Sequence, residues 1–330
     1  MKNIIVHGRK NKQPIEIACS QLVMGSGDFL RVDNMEDAGA VLDTYFELGG
    51  NTFDTARHYR HSEKAIGEWM ESRKNRDDVV IQTKGCHPVR EMPNVPRVSP
   101  DAIADDISLS LEMLRTDHVE LFALHRDDPT VPVGAIMEAL HREVESGRVY
   151  AIGASNWELD RIMEANDYAI QHNLTTFDFN SPNLSLAKVN RPRWENCVSA
   201  DARMIAWHEL SSLPLFSWSS QAGGFFSGRF QPDNVVDEEM AEVYYSDANW
   251  ERYHRAQILA KEKHVTPIQI SLSYVLNQKF PTAAVIGPEN VEELMSSVAA
   301  TRIVLTEDEV EWLDLKRGER VQRWRRFKIS

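Results

Sequence analysis

"DVVIQTKG" (78–85), "SPDAIADDISLSLEMLR" (99–115) and "HVELFALH" (118–125) follow one another in the chain. The first and third are continuous apolar runs of strand length, and each ends in an ionisable side chain, Lys84 and His125. The middle segment opens with Ser99 as a helix cap, Pro100 at the first helical position and Asp101 in the first turn, a strong helix start. Strands apolar on both faces and joined through a helix belong to a parallel sheet covered on both sides.

The same unit recurs outward in both directions. Towards the N-terminus, "SQLVMGSG" (20–27) reads as a strand and "NMEDAGAVLDTYFELG" (34–49) as a helix stopped by Gly49. "NTFD" (51–54) is a short strand and "SEKAIGEWMES" (62–72) a helix with Ser62 as its N-cap. Towards the C-terminus, "VYAIGAS" (149–155), "TTFDFN" (175–180), "LPLFSWS" (213–219) and "TAAVIG" (282–287) are strands. Helices are expected at 133–147, 158–173, 197–210, about 249–263 and 267–278, and 290–300. "TEDEVEWLDLK" (306–316) adds a C-terminal helix behind a T-x-x-E capping box. A hairpin is expected at roughly 3–17. Eight β/α units in 330 residues fit one (β/α)₈ TIM barrel, a single domain over 1–330 with an N-terminal β-hairpin and C-terminal extra helices. No G-x-G-x-x-G follows the first strand, which counts against an open dinucleotide-binding sheet.

Lys plus Arg number 37 against 50 Asp plus Glu, a formal net charge of −13. That surface repels phosphate backbones and anionic lipid, so neither a nucleic acid nor a membrane is an expected partner. The three cysteines, Cys19, Cys86 and Cys197, are far apart and form no metal pair or disulfide framework, which points to a reducing cytoplasm. The first apolar stretch breaks at His7, too early for a signal peptide, and no run of about 18 apolar residues occurs.

Chemistry in such a barrel gathers at the carboxyl ends of the strands. Those ends carry Asp54, Lys84, His125, Ser155 with Asn156, Asn180, and Trp218 with Ser219, and Tyr59 lies five residues past Asp54. "FDTARHYRHSEKAIGEW" (53–69), "VVIQTKG" (79–85), "VELFALHRDD" (119–128) and "YAIGASNW" (150–157) resemble, in order and spacing, the signature segments of the aldo-keto reductases. The resemblance implies a catalytic tetrad of Asp54, Tyr59, Lys84 and His125, and hydride transfer from NADP or NAD to an aldehyde or ketone. The physics of carbonyl reduction agrees, because negative charge building on oxygen needs a placed proton donor. A tyrosine beside an ammonium is such a donor, since the cation stabilises the phenolate.

The resemblance also implies that Ser155 and Asn156 hold the nicotinamide carboxamide. The family's third contact is commonly a glutamine; Asn180 or Ser181 stands in its place here. Trp218 takes the position of the ring that stacks on the nicotinamide. The small residues after it (Ser219, Ser220, Gln221, Gly223) suit backbone approach to the pyrophosphate. After the last strand, Gly287, Glu289 and Glu293 are candidate contacts, and Glu289 stands near the arginine that binds a 2′-phosphate. A carboxylate there favours a ribose hydroxyl, hence NAD. Phe29, His58 and Trp194 are candidate substrate contacts; with Arg57, Arg60, His61, Arg191 and Arg193 they hint at a polar, sugar-like or anionic carbonyl. No metal site is expected. Two other readings fit some of these residues: a Schiff-base lyase using Lys84, and a nicotinamide-binding regulatory subunit with slow turnover.

Overall fold

The computed structural model describes residues 1–27, 30 and 35–319, so Phe29 and the basic tail at 323–330 lie outside the described residues. The chain opens with an antiparallel hairpin, β1 (Asn3–Lys10) and β2 (Gln13–Ser20), turned through Asn11 and Lys12 at φ 51° and 64°. Two successive positive φ angles give the turn that matches strand twist in a two-residue hairpin.

Eight strands then close a parallel barrel: β3 (Leu22–Gly25), β4 (Thr52–Asp54), β5 (Val80–Gly85), β6 (Val119–Leu124), β7 (Val149–Ser155), β8 (Phe179–Ser181), β9 (Leu215–Ser217) and β10 (Thr282–Ile286). They pair in sequence order and β10 closes on β3, the architecture expected of a (β/α)₈ barrel. Helices α1 (Met35–Glu47), α2 (Ser62–Arg73), α3 (Pro100–Leu114), α4 (Val133–Glu145), α5 (Leu159–Gln171) and α6 (Ala202–Ser211) fill the crossovers up to β9. Between β9 and β10 come a 3₁₀ segment at 222–227, α7 (Glu238–Tyr244), α8 (Asp247–Lys263) and α9 (Pro267–Leu276); α10 (Val291–Ala300) and α11 (Glu307–Leu313) follow β10.

Strand alternation divides the core in two. Outward residues such as Leu22, Phe53, Ile81, Phe122 and Ile152 meet the helices in the larger cluster. Inward residues Val23, Val80, Leu121, Ala151, Phe179, Phe216 and Ala283 fill the barrel lumen and meet Ile4, Val6 and Ile17 of the hairpin. The hairpin lies over the N-terminal ends of the strands, where a Cβ on Gly8 would stand 2.7 Å from the carbonyl oxygen of Tyr150. With that end plugged, the carboxyl ends form the open face.

Three local expectations shift. Ser62 is the first residue of α2, not its cap: the chain enters through His61 in a helical conformation, and the Ser62 hydroxyl donates instead to the carbonyl of Gly27 at 2.6 Å. The helix expected from 197 begins at Ala202, where the Asp201 carboxylate accepts the Met204 N–H at 2.7 Å. Helix α7 was not foreseen, although Asp237 caps it and two glutamates follow. Elsewhere Ser99 with Pro100 starts α3, and Thr306 with Glu309 forms the expected capping box.

Candidate active site

Inward alternation on β4 and β5 aims Asp54, Gln82 and Lys84 into the upper lumen. The Lys84 Nζ donates to Oδ1 of Asp54 at 2.5 Å and to the carbonyl of Thr55 at 3.0 Å, and the Gln82 amide donates to the same carboxylate oxygen at 3.1 Å. Both charged groups are almost fully buried. Burial pushes the Asp54 carboxyl up while the Lys84 charge pulls it down; burial also opposes the Lys84 charge, but Asp54 and Tyr59 outweigh it and raise the ammonium's pKa. A buried ion pair of this kind persists because each member satisfies the other.

Tyr59 reaches the same place from the loop after β4, which is folded back by the Arg57 N–H on the Lys84 carbonyl at 2.9 Å. The Lys84 Nζ stands 5.4 Å from the centre of the Tyr59 ring. His125, just past β6, packs edge-on against Tyr59 with ring centres 5.6 Å apart. Burial, and then the charges of Lys84 and Arg126, hold His125 well below the ordinary imidazole pKa, so its ring is neutral; its Nδ1 has no hydrogen-bond partner among the described residues. Burial pushes the Tyr59 phenol above its ordinary value, and the pull of Lys84 in the other direction only partly offsets this. The phenol thus stays protonated, whereas charge proximity alone predicts a depressed value.

These four residues line one cavity of about 600 Å³ at the open face, together with His58, Ser155, Asn156, Trp194, Trp218, Ser219, Gly287 and Glu289. Asn156 holds a positive φ of 61° and is fully engaged: its amide nitrogen donates to the His125 carbonyl at 3.2 Å and to Ser155 at 3.1 Å, and its oxygen accepts the Val198 N–H at 3.1 Å. Ser155 donates to the Ser181 carbonyl at 2.8 Å.

The expected third amide contact divides between two neighbours. Asn180 faces away from the lumen, with its nitrogen 3.2 Å from Nε2 of His208 on α6. Ser181, one residue on, faces in; it is buried in register with Ser155, and its hydroxyl has no partner among the described residues. Asn180 is therefore displaced from the pocket by the two-residue period of a strand. Ser181, fully buried although it faces the lumen, lies outside the cavity lining, as do Ser220, Gln221, Gly223 and Glu293. Ser220 donates to the Val285 carbonyl at 2.7 Å, and Glu293 accepts the Glu289 N–H at 2.9 Å. A Cβ on Gly223, at φ 60°, would stand 2.8 Å from the Met240 sulfur.

The loop cations considered as substrate contacts are mostly engaged elsewhere. Arg57 faces Glu63 at 3.9 Å, Arg191 pairs with Glu242 at 2.5 Å, and Arg193 with Glu239 at 3.1 Å. Arg60 and His61 are exposed. Sequence reasoning missed His87, Arg90, Arg126 and Cys197, which all line the cavity. His87 stacks on His58 with ring centres 3.7 Å apart, and burial drops its pKa to about 4. Their common signal is position, one to six residues past a strand end or in a long loop over the open face.

A family model described as the aldo/keto reductase family matches residues 21–317. The chain is 29% identical over 307 residues to norsolorinic acid reductase B of Aspergillus parasiticus, covering 90% of this chain and 78% of the relative. It is 28% identical to the probable aryl-alcohol dehydrogenase AAD4 of Saccharomyces cerevisiae, covering 85% and 88% of the two chains. It is 26% identical to the uncharacterized oxidoreductase YrpG of Bacillus subtilis, covering 88% and 89%.

Proposed function

The chain belongs to the aldo/keto reductase family and is an oxidoreductase, and from that premise we propose that it reversibly reduces an aldehyde or ketone to the alcohol, with Tyr59 as the proton donor. The observation that carries the reading is the buried Asp54–Lys84 pair beside the Tyr59 ring, with neutral His125 on its other side, all on one cavity. Family members use a nicotinamide cofactor, which supplies the hydride when bound. The residues present suit the nicotinamide end of such a group: Trp218 lines the cavity, Ser181 keeps a buried hydroxyl without a partner among the described residues, and open space lies over Gly287.

In this reading the Tyr59 hydroxyl gives its proton to the carbonyl oxygen as carbon is reduced, and takes it back in oxidation. Lys84 stabilises the phenolate left behind, and Asp54 holds Lys84 charged and fixed. The neutral His125 ring donates a hydrogen bond to the same carbonyl oxygen and orients it. Asn156 acts as a positioning residue, since its amide ties the His125 backbone to the loop at Val198. A Schiff-base reading of Lys84 is disfavoured, because an amine held charged in an ion pair is a poor nucleophile.

Glu289 on the cavity wall opposes a 2′-phosphate and suits a ribose hydroxyl, so we assign NADH use at least equal to NADPH use. The test is cofactor oxidation by the purified protein against a panel of aldehydes, ketones and sugars, with both cofactors and a Tyr59→Phe control. Turnover that depends on Tyr59 is expected. Absence of oxidation across the panel, or full activity of the variant, overturns the reading.

A further inference from the structure

The cavity holds a cation that neither gives nor takes the proton, although its charge helps keep His125 neutral. Arg126, the residue after His125, is 8% exposed and lines the cavity. Its Nη1 donates to the His125 carbonyl at 2.8 Å and the guanidinium also bonds to the Cys197 thiol, which leaves most of its five N–H donors over. A guanidinium this far out of water ordinarily has a carboxylate beside it. Glu195, on the exposed loop that carries Cys197, shares the cavity lining but forms no ion pair with Arg126 among the described residues, and the other acids are committed elsewhere. Asp127 pairs with Arg161 at 3.3 Å, Asp128 accepts the Thr130 N–H at 3.0 Å and its hydroxyl at 2.6 Å, and Asp54 belongs to Lys84. Glu289 follows β10, four strands round the barrel from β6. The thiol of Cys197, on the same wall, is no counter-ion: burial raises its pKa, although Arg126 pulls it back.

The rest of the lining adds two constraints. Arg90 brings a second positive group, at the exposed rim. The His58–His87 stack, Trp194 and Trp218 bring flat aromatic faces to the walls. We propose that Arg126 determines specificity in this site by binding the carboxylate of an aryl aldehyde or ketone that carries an acid group on the same ring frame. The planar fork of an arginine matches a carboxylate two bonds at a time, and the substrate supplies the counter-charge that the neighbouring acids do not. The inference rests on the reductase reading of the same site.

The experiment compares 2-, 3- and 4-carboxybenzaldehyde with their methyl esters, which keep the shape and lose the charge. It uses wild type, Arg126→Gln and Arg126→Lys, and benzoate binding is followed separately by thermal shift and by competition. For at least one isomer the wild type should favour the acid in kcat/KM by about tenfold or more, the size of a charge-assisted hydrogen bond. Arg126→Gln should collapse the acid-to-ester ratio whatever the absolute rates, Arg126→Lys should keep part of it, and benzoate should stabilise the wild type and not Arg126→Gln. Equal use of acids and esters by the wild type, or a ratio that survives in Arg126→Gln, overturns the proposal while leaving the reductase reading intact. If no carbonyl is reduced but benzoate binds through Arg126, the reductase reading fails and the anion site stands. Should Arg126→Gln not fold, the wild-type ratio and benzoate competition decide alone.

Discussion

Lys84 and Tyr59 meet as a cation over a ring, with Nζ 5.4 Å from the ring centre, inside a cavity where burial otherwise holds the phenol protonated. The two effects suit different moments of one reaction: burial keeps the proton on until it is needed, and the ammonium steadies the anion once it has gone. Tyr59→Phe removes the proton and little else. Its kcat should fall by about 10²–10⁴, the usual worth of a placed general acid. Cofactor affinity, read by fluorescence titration, should stay within a few-fold of wild type. A variant that loses both equally would point to a structural role for the hydroxyl.

The Asp54–Lys84 pair makes an independent prediction about stability. Both members are nearly excluded from water, so removing one strands the other's charge. Lys84→Met or Asp54→Asn should each lower the free energy of unfolding by roughly 3–5 kcal/mol, the range for a broken buried pair. Lys84→Met with Asp54→Asn together should cost less than the sum, because no lone charge remains. Urea titrations of the four proteins close this cycle, and simple additivity would show that the two groups do not depend on each other.

Ser181 and Asn180 are adjacent, yet they face opposite sides of the barrel wall. Ser181→Ala should weaken nicotinamide binding by several-fold up to about tenfold, the net worth of one hydrogen bond, with little change in stability. Asn180→Ala should do the reverse, since its amide serves His208 on the helix side. Isothermal titration with the cofactor and thermal melts of both variants separate the two effects.

That pair also marks where the sequence stopped being legible. The barrel was readable because most of its buried strands are apolar runs that alternate with helical segments, the clearest start being Ser99 with Pro100. The strand-end residues Asp54, Lys84 and His125 followed from the same pattern. β8 is only three residues long, too short for alternation to tell its inward face from its outward one. Arg126 and His87 were invisible for another reason. Both lie in loops beyond the strand ends, where no periodicity says which side chains turn inward and which turn to water.

Glu289 lines the cavity beyond β10, at the mouth of α10, whose Asn290 cap accepts the Glu293 N–H at 2.9 Å. A helix N-terminus attracts anions, so the carboxylate there competes with any phosphate for the same field. Glu289→Arg should raise kcat/KM for NADPH by about tenfold or more and lower the NADH to NADPH ratio, as expected when a guanidinium replaces a repelling carboxylate beside the phosphate. Steady-state kinetics with both cofactors at one fixed carbonyl concentration checks it. An unchanged ratio would mean that the side chain does not face the adenosine ribose.

His208 ties the site's outer wall to acid stability. It is fully buried on α6, its Nδ1–H donates to the Leu213 carbonyl at 2.8 Å, and its Nε2 is left to accept from Asn180 at 3.2 Å. A second proton on Nε2 would require the Asn180 amide to turn and offer its oxygen. Burial drops its pKa from 6.5 to about 4, with the Leu213 carbonyl pulling weakly the other way. Between those two values the unfolded chain binds a proton that the fold refuses. The contribution to stability is therefore complete above pH 6.5 and is lost as pH falls towards 4. Asp178 works in the opposite sense, since burial raises its pKa to about 8 and its cost to the fold eases on acidification. His208→Gln keeps Asp178 and removes only the imidazole, so the difference between the two proteins isolates one group. On going from neutral pH to about pH 4.5, wild type should lose roughly 2–3 kcal/mol more stability than His208→Gln. Urea unfolding at a series of pH values measures the gap, and parallel curves would mean that the folded protein accepts the proton on His208 after all.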